Sequence, residues 1–505
     1  MLAKTIMVQG TASNVGKSIV TTALCRILKR RGYRVAPFKA QNMANNSYVT
    51  REGGEIGRAQ AVQAIASGIE PSQRMNPILL KPSSDRTSQV VVMGKPASTL
   101  SAKDYQHKKT DLLPVIEQAL DQLRREFDIV VIEGAGSPAE INMKANDIVN
   151  MRIAKMVQAP VILVADIDKG GVFAQIIGTF ELLDSEEKKL VKTFLINKFR
   201  GDKDILTSGV EWIEEKMKRK CLGVIPMIKD LGIEEEDAVV LDEPREKFYR
   251  SSSTRLLINV IRFPRISNFT DFETLAREED VLLRYIDKPD RHCLPDVLIL
   301  PGTKSTIADL QFLRSSGFDE CIRRCVKAGV TVLGICGGYQ MLGDTIEDPY
   351  HIESFESAVI GLGFLRMKTV FKKEKTTAQV KALHLDSQCM IEGYEIHMGQ
   401  SIHMNGNTPL FRILKRQGQA VDDDEGSNQT LDTSAQISGT YIHGLFDNDD
   451  FRRYFLNQIR KKVGLESLST KNNRNALDVY DALADVFEKN MDMTVLSEIL
   501  GEQLV

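Results

Sequence analysis

The chain has 505 residues, a formal charge of −2, and 42% hydrophobic and 27% charged residues. At about 150 residues per domain this is room for two or three domains, each able to bury a sizeable core. The near-neutral balance lacks the basic excess of a nucleic-acid or membrane-surface binder, and no apolar run approaches the ~20 residues of a membrane span.

The N-terminus, MLAKTIMVQG, is too short in apolar residues for a signal peptide. The 7 cysteines show no paired metal spacing. They read as free thiols of a reducing compartment, so the expected location is the cytoplasm.

Short, continuously apolar runs alternate with longer amphipathic ones through the first half. The runs Thr5 to Gln9, Arg34 to Phe38, Asp128 to Glu133, Val161 to Ala165 and Thr193 to Asn197 predict strands. Helices are predicted after Lys17, from Glu55 to Ser67, and from Asp111 to Glu126. Continuous rather than alternating apolar strands belong to a parallel sheet covered on both faces, so this half reads as a doubly wound α/β domain over residues 1–235. The acidic and polar stretch at 236–253 reads as a linker.

A second α/β unit, 254–505, begins with a strand at Leu256 to Ile261. It continues with strands at Val297 to Leu300 and Val330 to Leu333. Within it Gln417 to Ser438 is polar and predicts a loop excursion, and a helical tail runs from Asn475 to Leu500. The fold class is therefore α/β, with two domains, each built on a mostly parallel sheet.

Gly10 to Ser18, GTASNVGKS, lies between a strand and a helix, where a phosphate-binding loop must sit. Backbone N–H groups of Gly10, Thr11 and Gly16 and the helix N-terminus attract phosphate. The Lys17 ammonium reaches the terminal phosphates, and the Ser18 hydroxyl suits Mg²⁺. The loop has one residue more between its glycines than the common pattern. DIVVIEGAG, Asp128 to Gly136, ends an apolar strand in Glu133, which is either a second Mg²⁺ ligand or a solvated acid. Asn197, in INKFRGD, is either a reader of the nucleotide base or a polar strand end.

VTVLGICGGYQ, Val330 to Gln340, runs an apolar strand into G-x-C-x-G. Flanking small residues allow a sharp turn that presents Cys336 as a nucleophile, with the Gly337 N–H facing an oxyanion. The tight turn after Leu300 offers Gly302 as another oxyanion donor. His443, in GTYIHGLF, supplies the base that a thiol needs.

The first half resembles the dethiobiotin synthetase-like ATPases, which share the lengthened loop and the Glu-Gly-Ala-Gly strand end. The second half resembles class I glutamine amidotransferase domains. That resemblance implies Cys336 as nucleophile and His443 as general base. Most of that class carries Glu two residues after the His, but here the position is Leu445. The residue orienting His443 stays unassigned, and Asp447 reads as a solvated loop acid.

The combination resembles the cobalamin-pathway amidases. KAQNMANNS (Lys39 to Ser47) and FPRISNFTDFE (Phe263 to Glu273) point to the cobyric acid synthase branch, while GYEIHMG (Gly393 to Gly399) and the elbow are shared with the a,c-diamide synthases. The resemblance implies ATP, Mg²⁺, glutamine and a corrinoid, adenosylcobyrinic acid a,c-diamide, as cofactors and partners. It implies amidation of four peripheral carboxylates (b, d, e and g) to give adenosylcobyric acid, without nucleic acid or membrane.

Gln41, Asn42, Asn45 and Lys81 are candidate corrinoid contacts; hydrogen-bonded turns are the alternative for the amides. The other readings are an a,c-diamide synthase, a cell-wall amidase, whose two halves usually sit on separate chains, and a partitioning-type ATPase switch. A switch has no use for the Cys336 and His443 pair.

Overall fold

The computed structural model describes residues 2–83, 86–228, 232, 255–290, 293–404, 407–470 and 476–502; the expected linker, 236–253, lies outside them. In the first domain six parallel strands are ordered Cys221–Pro226, Val191–Phe199, Val161–Asp166, Lys4–Gly10, Ile129–Glu133 and Val35–Phe38. The central strands are buried along their whole length, as Val161–Asp166 and Ile129–Glu133 show. Both faces are covered. Met7, Ile132 and Leu163 pack on one side, and Ile6, Val8 and Val131 pack under the helix Lys17–Arg30 on the other.

The first strand has Ile129–Glu133 on one flank and Val161–Asp166 on the other. This is the point where strand order reverses, and it places the loop at 10–18 in a crevice at the strand ends.

Two expected elements differ in detail. Glu55–Gly57, read as the start of a helix, is a strand paired antiparallel with Ser47–Val49, and the helix is Arg58–Ala66. The buried pairing of Glu55 described below holds that backbone extended. The helix expected from Asp111 opens with a short 3₁₀ turn and runs Leu113–Glu126.

In the second domain the sheet order is Val281–Ile286, Leu256–Ile261, Val297–Leu300, Thr331–Ile335, Gln436–Thr440 and Ser427–Thr430, parallel except for the last strand. A second sheet is built on a long hairpin, Met367–His384 with Met390–His403.

The stretch expected as a loop, Gln417 to Ser438, instead contributes the strands Gln419–Glu425 and Ser427–Thr430 and the start of Gln436–Thr440. Its polarity is compatible with strands because its buried acid is satisfied: Glu425 accepts from Thr440 Oγ1 and from the Tyr441 N–H, each at 2.7 Å.

The tail is a second correction. The tail expected as part of the second domain, Asn475 to Leu500, forms the helices Ala476–Asn490 and Met493–Leu500, and these pack on the first domain. Leu483, Phe487 and Leu496 join Val20, Leu24 and Ile27 of the helix Lys17–Arg30 in one core. Arg26 grips Asp481 with two hydrogen bonds, of 2.8 and 2.7 Å. The tail's apolar stripe fits the outer face of that helix, a match that position in the chain does not reveal.

Candidate active sites

Gly16 sits at φ +95°, and a Cβ there would fall 2.2 Å from the Asn197 amide, so the loop closes over Asn197 only with glycine. Asn197 Nδ2 donates to Val15 O at 2.9 Å, and Thr11 Oγ1 donates to Gln175 Oε1 at 3.2 Å. Asn197 thus braces the loop from beneath. Lys17 Nζ donates to Ala12 O (3.0 Å) and Gly136 O (3.1 Å), which holds the ammonium inside the loop's curve. A Cβ on Gly10 would stand 3.0 Å from that nitrogen.

Ser18 Oγ donates to Glu133 Oε1 at 2.9 Å, so the hydroxyl and the strand-end carboxylate meet. Glu133 is buried and also accepts from Lys39 Nζ (2.8 Å) and from Gln63 Nε2 (2.6 Å). Burial would raise the Glu133 pKa, but the Lys39 ammonium outweighs it and holds the carboxyl below its ordinary range.

Of the proposed corrinoid contacts, Gln41 Oε1 accepts from Tyr105 OH at 2.5 Å, and Asn42 Nδ2 donates to Gln60 Oε1 at 3.0 Å. Asn45 Oδ1 is buried with no partner among the described residues. Lys81 already has a carboxylate: its ammonium bonds Glu55, and it donates to Ser47 Oγ at 2.7 Å. Burial lowers its pKa to about 8 despite Glu55.

At the thiol elbow Cys336 has φ 51° and ψ −107°, a conformation costly for a residue with a side chain. Two glycines make room for it. A Cβ on Gly338 would stand 1.9 Å from Leu300 O, and one on Gly334 would stand 2.7 Å from the Tyr339 backbone. The Cys336 N–H is used on Thr440 O at 2.8 Å, and the thiol lies 3.6 Å from Ile396 O. Gly302 borders the site, since a Cβ there would stand 3.2 Å from His443 Cε1. Gly337 faces the same turn, 3.2 Å by the same measure from the Thr303 nitrogen.

His443 is fully buried and lies close enough to the Cys336 thiol for the two to interact electrostatically. Its Nδ1 lies 2.6 Å from Asp271 Oδ2, and the other Asp271 oxygen accepts the Gly444 N–H at 3.0 Å. Burial alone would pull the imidazole pKa down, but Asp271 and Cys336 outweigh it and raise the pKa to about 10. Tyr394 stacks on the ring at 5.2 Å, and Asn268 Nδ2 is 3.4 Å from both ring nitrogens, so that amide packs on the ring instead of bonding one nitrogen.

Asp271 fills the place left open at Leu445. It stands inside FPRISNFTDFE, a segment singled out in the sequence, but 172 residues before the histidine. Asp447 points elsewhere, 4.0 Å from Arg58 with its side chain 41% exposed. His397 is on the opposite face of its strand from Tyr394. It stacks on Tyr441 at 3.8 Å and bonds Gly399 O at 2.6 Å, and burial lowers its pKa to about 4.

A phosphate-type loop backed by an acid and a cysteine–histidine–aspartate triad therefore occupy one chain. Residues 6–239 match the CobQ/CobB/MinD/ParA nucleotide binding domain, and residues 257–451 match the CobB/CobQ-like glutamine amidotransferase domain. A cobyric acid synthase from Streptococcus sanguinis is 48% identical over 507 residues, covering 99% of this chain and 100% of that one. One from Thermoanaerobacter sp. is 49% identical over 511 residues, covering 99% of each.

This chain belongs to the cobyric acid synthase family. It is a glutamine-hydrolysing amidating ligase of cobalamin biosynthesis, and its first domain is of the nucleotide-binding kind. No helix among the described residues is long and apolar enough to cross a membrane.

Proposed function

We propose that the two sites divide the work: the first domain activates a corrinoid carboxylate with ATP, and the second makes ammonia from glutamine. The observation that carries this reading is the triad itself, since a thiol held on a buried, aspartate-bound histidine has no role in ATP chemistry.

A carboxylate does not react with ammonia at neutral pH. Transfer of the γ-phosphoryl group to it creates an acyl phosphate with a good leaving group. Lys17, with its ammonium inside the loop, offsets charge on the phosphates, and Gly10, Thr11 and Gly16 line their seat. Ser18 and Glu133, 2.9 Å apart, form a hard oxygen pair that fits Mg²⁺. Bound there, Mg²⁺ would neutralise phosphate charge. Asn197 shapes the loop.

In the second domain the proton that His443 holds is the one given up by Cys336, and the thiolate left behind attacks the glutamine side-chain amide. N–H groups of Gly302 and Gly337 hold the oxyanion. His443 returns the proton to the departing ammonia, and water then releases glutamate from the thioester. Asp271 fixes the imidazole with Nε2 toward the thiol.

The substrate of this reading is adenosylcobyrinic acid a,c-diamide. Four carboxylates (b, d, e and g) become amides in the cytoplasm, giving adenosylcobyric acid. Gln41, Asn42, Asn45 and Lys81 are its proposed contacts. Incubation with ATP, Mg²⁺, glutamine and the a,c-diamide, followed by mass spectrometry, tests the reading. Each exchange of OH for NH₂ shifts the mass, and a ladder of four steps is expected. Amidation of the unmodified a and c positions instead would assign the chain to diamide formation.

A further inference from the structure

Ser47 belongs to the first domain, yet both of its backbone polar groups are used in the second. Its N–H donates to Asn268 Oδ1 at 2.9 Å, and its carbonyl accepts from Tyr394 OH at 3.2 Å. Asn268 and Tyr394 are the two residues that pack on the His443 ring. The neighbouring Asn46 Oδ1 accepts the Phe269 N–H at 3.2 Å, two residues before Asp271.

Ser47 is itself locked. Its hydroxyl donates to Glu55 Oε1 at 2.7 Å and accepts from Lys81, and Glu55 Oε2 is bonded by Lys375 of the long hairpin at 2.5 Å. The same stretch of chain reaches the other site at both ends, because Lys39 and Gln63 hold the two oxygens of Glu133.

We propose that the segment from Lys39 to Gln63 couples the phosphate site to the glutaminase site, with Asn268 and Tyr394 as positioning residues that pass the position of Ser47 to His443. The proposal rests on the reading of Glu133 as part of the phosphate site. A carboxylate that turns to hold a cation beside Ser18 must release some of its bonds to Lys39 and Gln63. The segment between them is then free to shift, and Ser47 moves both supports of the imidazole together. A displacement of about 1 Å in a catalytic group is enough to change a rate 10²-fold. Hydrolysis of glutamine is thereby tied to the state of the site that consumes ammonia.

Coupling between sites is reciprocal in binding, which gives a readout independent of turnover. In the Cys336→Ser chain, which binds glutamine without forming the thioester, the affinity for a non-hydrolysable ATP analogue with Mg²⁺ is measured by calorimetry with and without glutamine. Glutamine should change nucleotide affinity, and nucleotide should change glutamine affinity by the same factor, within the usual span of about 5–150-fold.

Tyr394→Phe keeps the stacked ring and removes the hydroxyl bond to Ser47, and in the Cys336→Ser background it should abolish that factor. In the otherwise unaltered chain it should lower kcat for glutamate release with KM for glutamine little changed, and leave amidation from ammonium intact. Asn268→Ala should do the same. Full coupling in the Tyr394→Phe and Asn268→Ala chains would overturn the proposal. Nucleotide that binds without changing glutamine affinity in the Cys336→Ser chain would overturn the coupling and leave the activation reading standing. Nucleotide that fails to bind would overturn both.

Discussion

His443 Nδ1 and Asp271 Oδ2 lie 2.6 Å apart in a buried pocket, although one residue closes a strand of the long-hairpin sheet and the other sits in a turn 172 positions earlier. An aspartate in this place accepts the Nδ1 proton and leaves Nε2 to work on the thiol. Asp271→Asn removes that acceptor while keeping the shape. It should lower glutamine-dependent amidation by about 10²–10⁴-fold, the usual worth of a general base. Amidation from high ammonium should persist, as it should in Cys336→Ala, because neither residue touches the carboxylate being activated. Loss of both activities in a folded variant would show that the second site does more than supply ammonia.

The same contact makes stability depend on pH. The folded imidazole has its pKa raised to about 10 from 6.5, so the folded state binds the proton more tightly than the unfolded chain. The stabilisation is complete below about pH 6.5, declines from there to about pH 10, and is absent above. Urea unfolding of the parent chain and of His443→Gln should therefore converge across this window. The difference should fall by about 1.4 kcal/mol per pH unit. A difference that stays flat from pH 7 to 9 would mean that the proton is not held.

Much of this architecture is legible in local pattern. The parallel strands of both domains are continuous apolar runs, and the loop and elbow carry their glycines at fixed spacing because close contacts demand them, with the Asn197 amide at Gly16 and with the Leu300 carbonyl at Gly338. What local pattern misses is pairing at long range. Asp271 looks like any acid in a polar turn until the fold brings it to His443. Gln417 to Ser438 looks like a loop because its acids are polar, yet Glu425 is satisfied by Thr440 and Tyr441. The tail carries a helical stripe that does not say which domain it covers.

Glu55 joins the domains through Lys81 on one side and Lys375 on the other, with all three side chains less than 10% exposed. Burial would raise the Glu55 pKa, and the two ammoniums hold it far below the carboxylate range. Glu55→Gln leaves both ammoniums buried without their counter-charge and should destabilise the chain by about 3–5 kcal/mol in urea unfolding. Adding Lys375→Met should recover part of the loss, since it removes one of the stranded charges. A double variant no better than the single one would show that the cost comes from packing.

On the proposed reading Lys17 and Glu133 act before any nitrogen arrives. Lys17→Ala should lose amidation from glutamine and from ammonium alike, and Glu133→Gln should do so with a raised Mg²⁺ requirement. Oxygen-18 placed in the substrate carboxylate should appear in released phosphate. Label that stays wholly in the corrinoid would exclude an acyl phosphate.

On the proposed reading the described residues hold one phosphate loop and one thiol elbow, and both must serve four carboxylates spread around a macrocycle. Each carboxylate has to come within about 3–3.5 Å of the same γ-phosphate before transfer. A rigid ring held in one pose presents only one of them there. The corrinoid should therefore leave and rebind between amidations, and partly amidated intermediates should accumulate free in solution when substrate exceeds enzyme. A pulse of labelled a,c-diamide, chased with excess unlabelled substrate, separates the routes. Release between steps leaves the label stranded in mono-, di- and tri-amidated species. Label that proceeds wholly to the tetra-amidated product despite the chase would mean that the ring turns within the site without being let go.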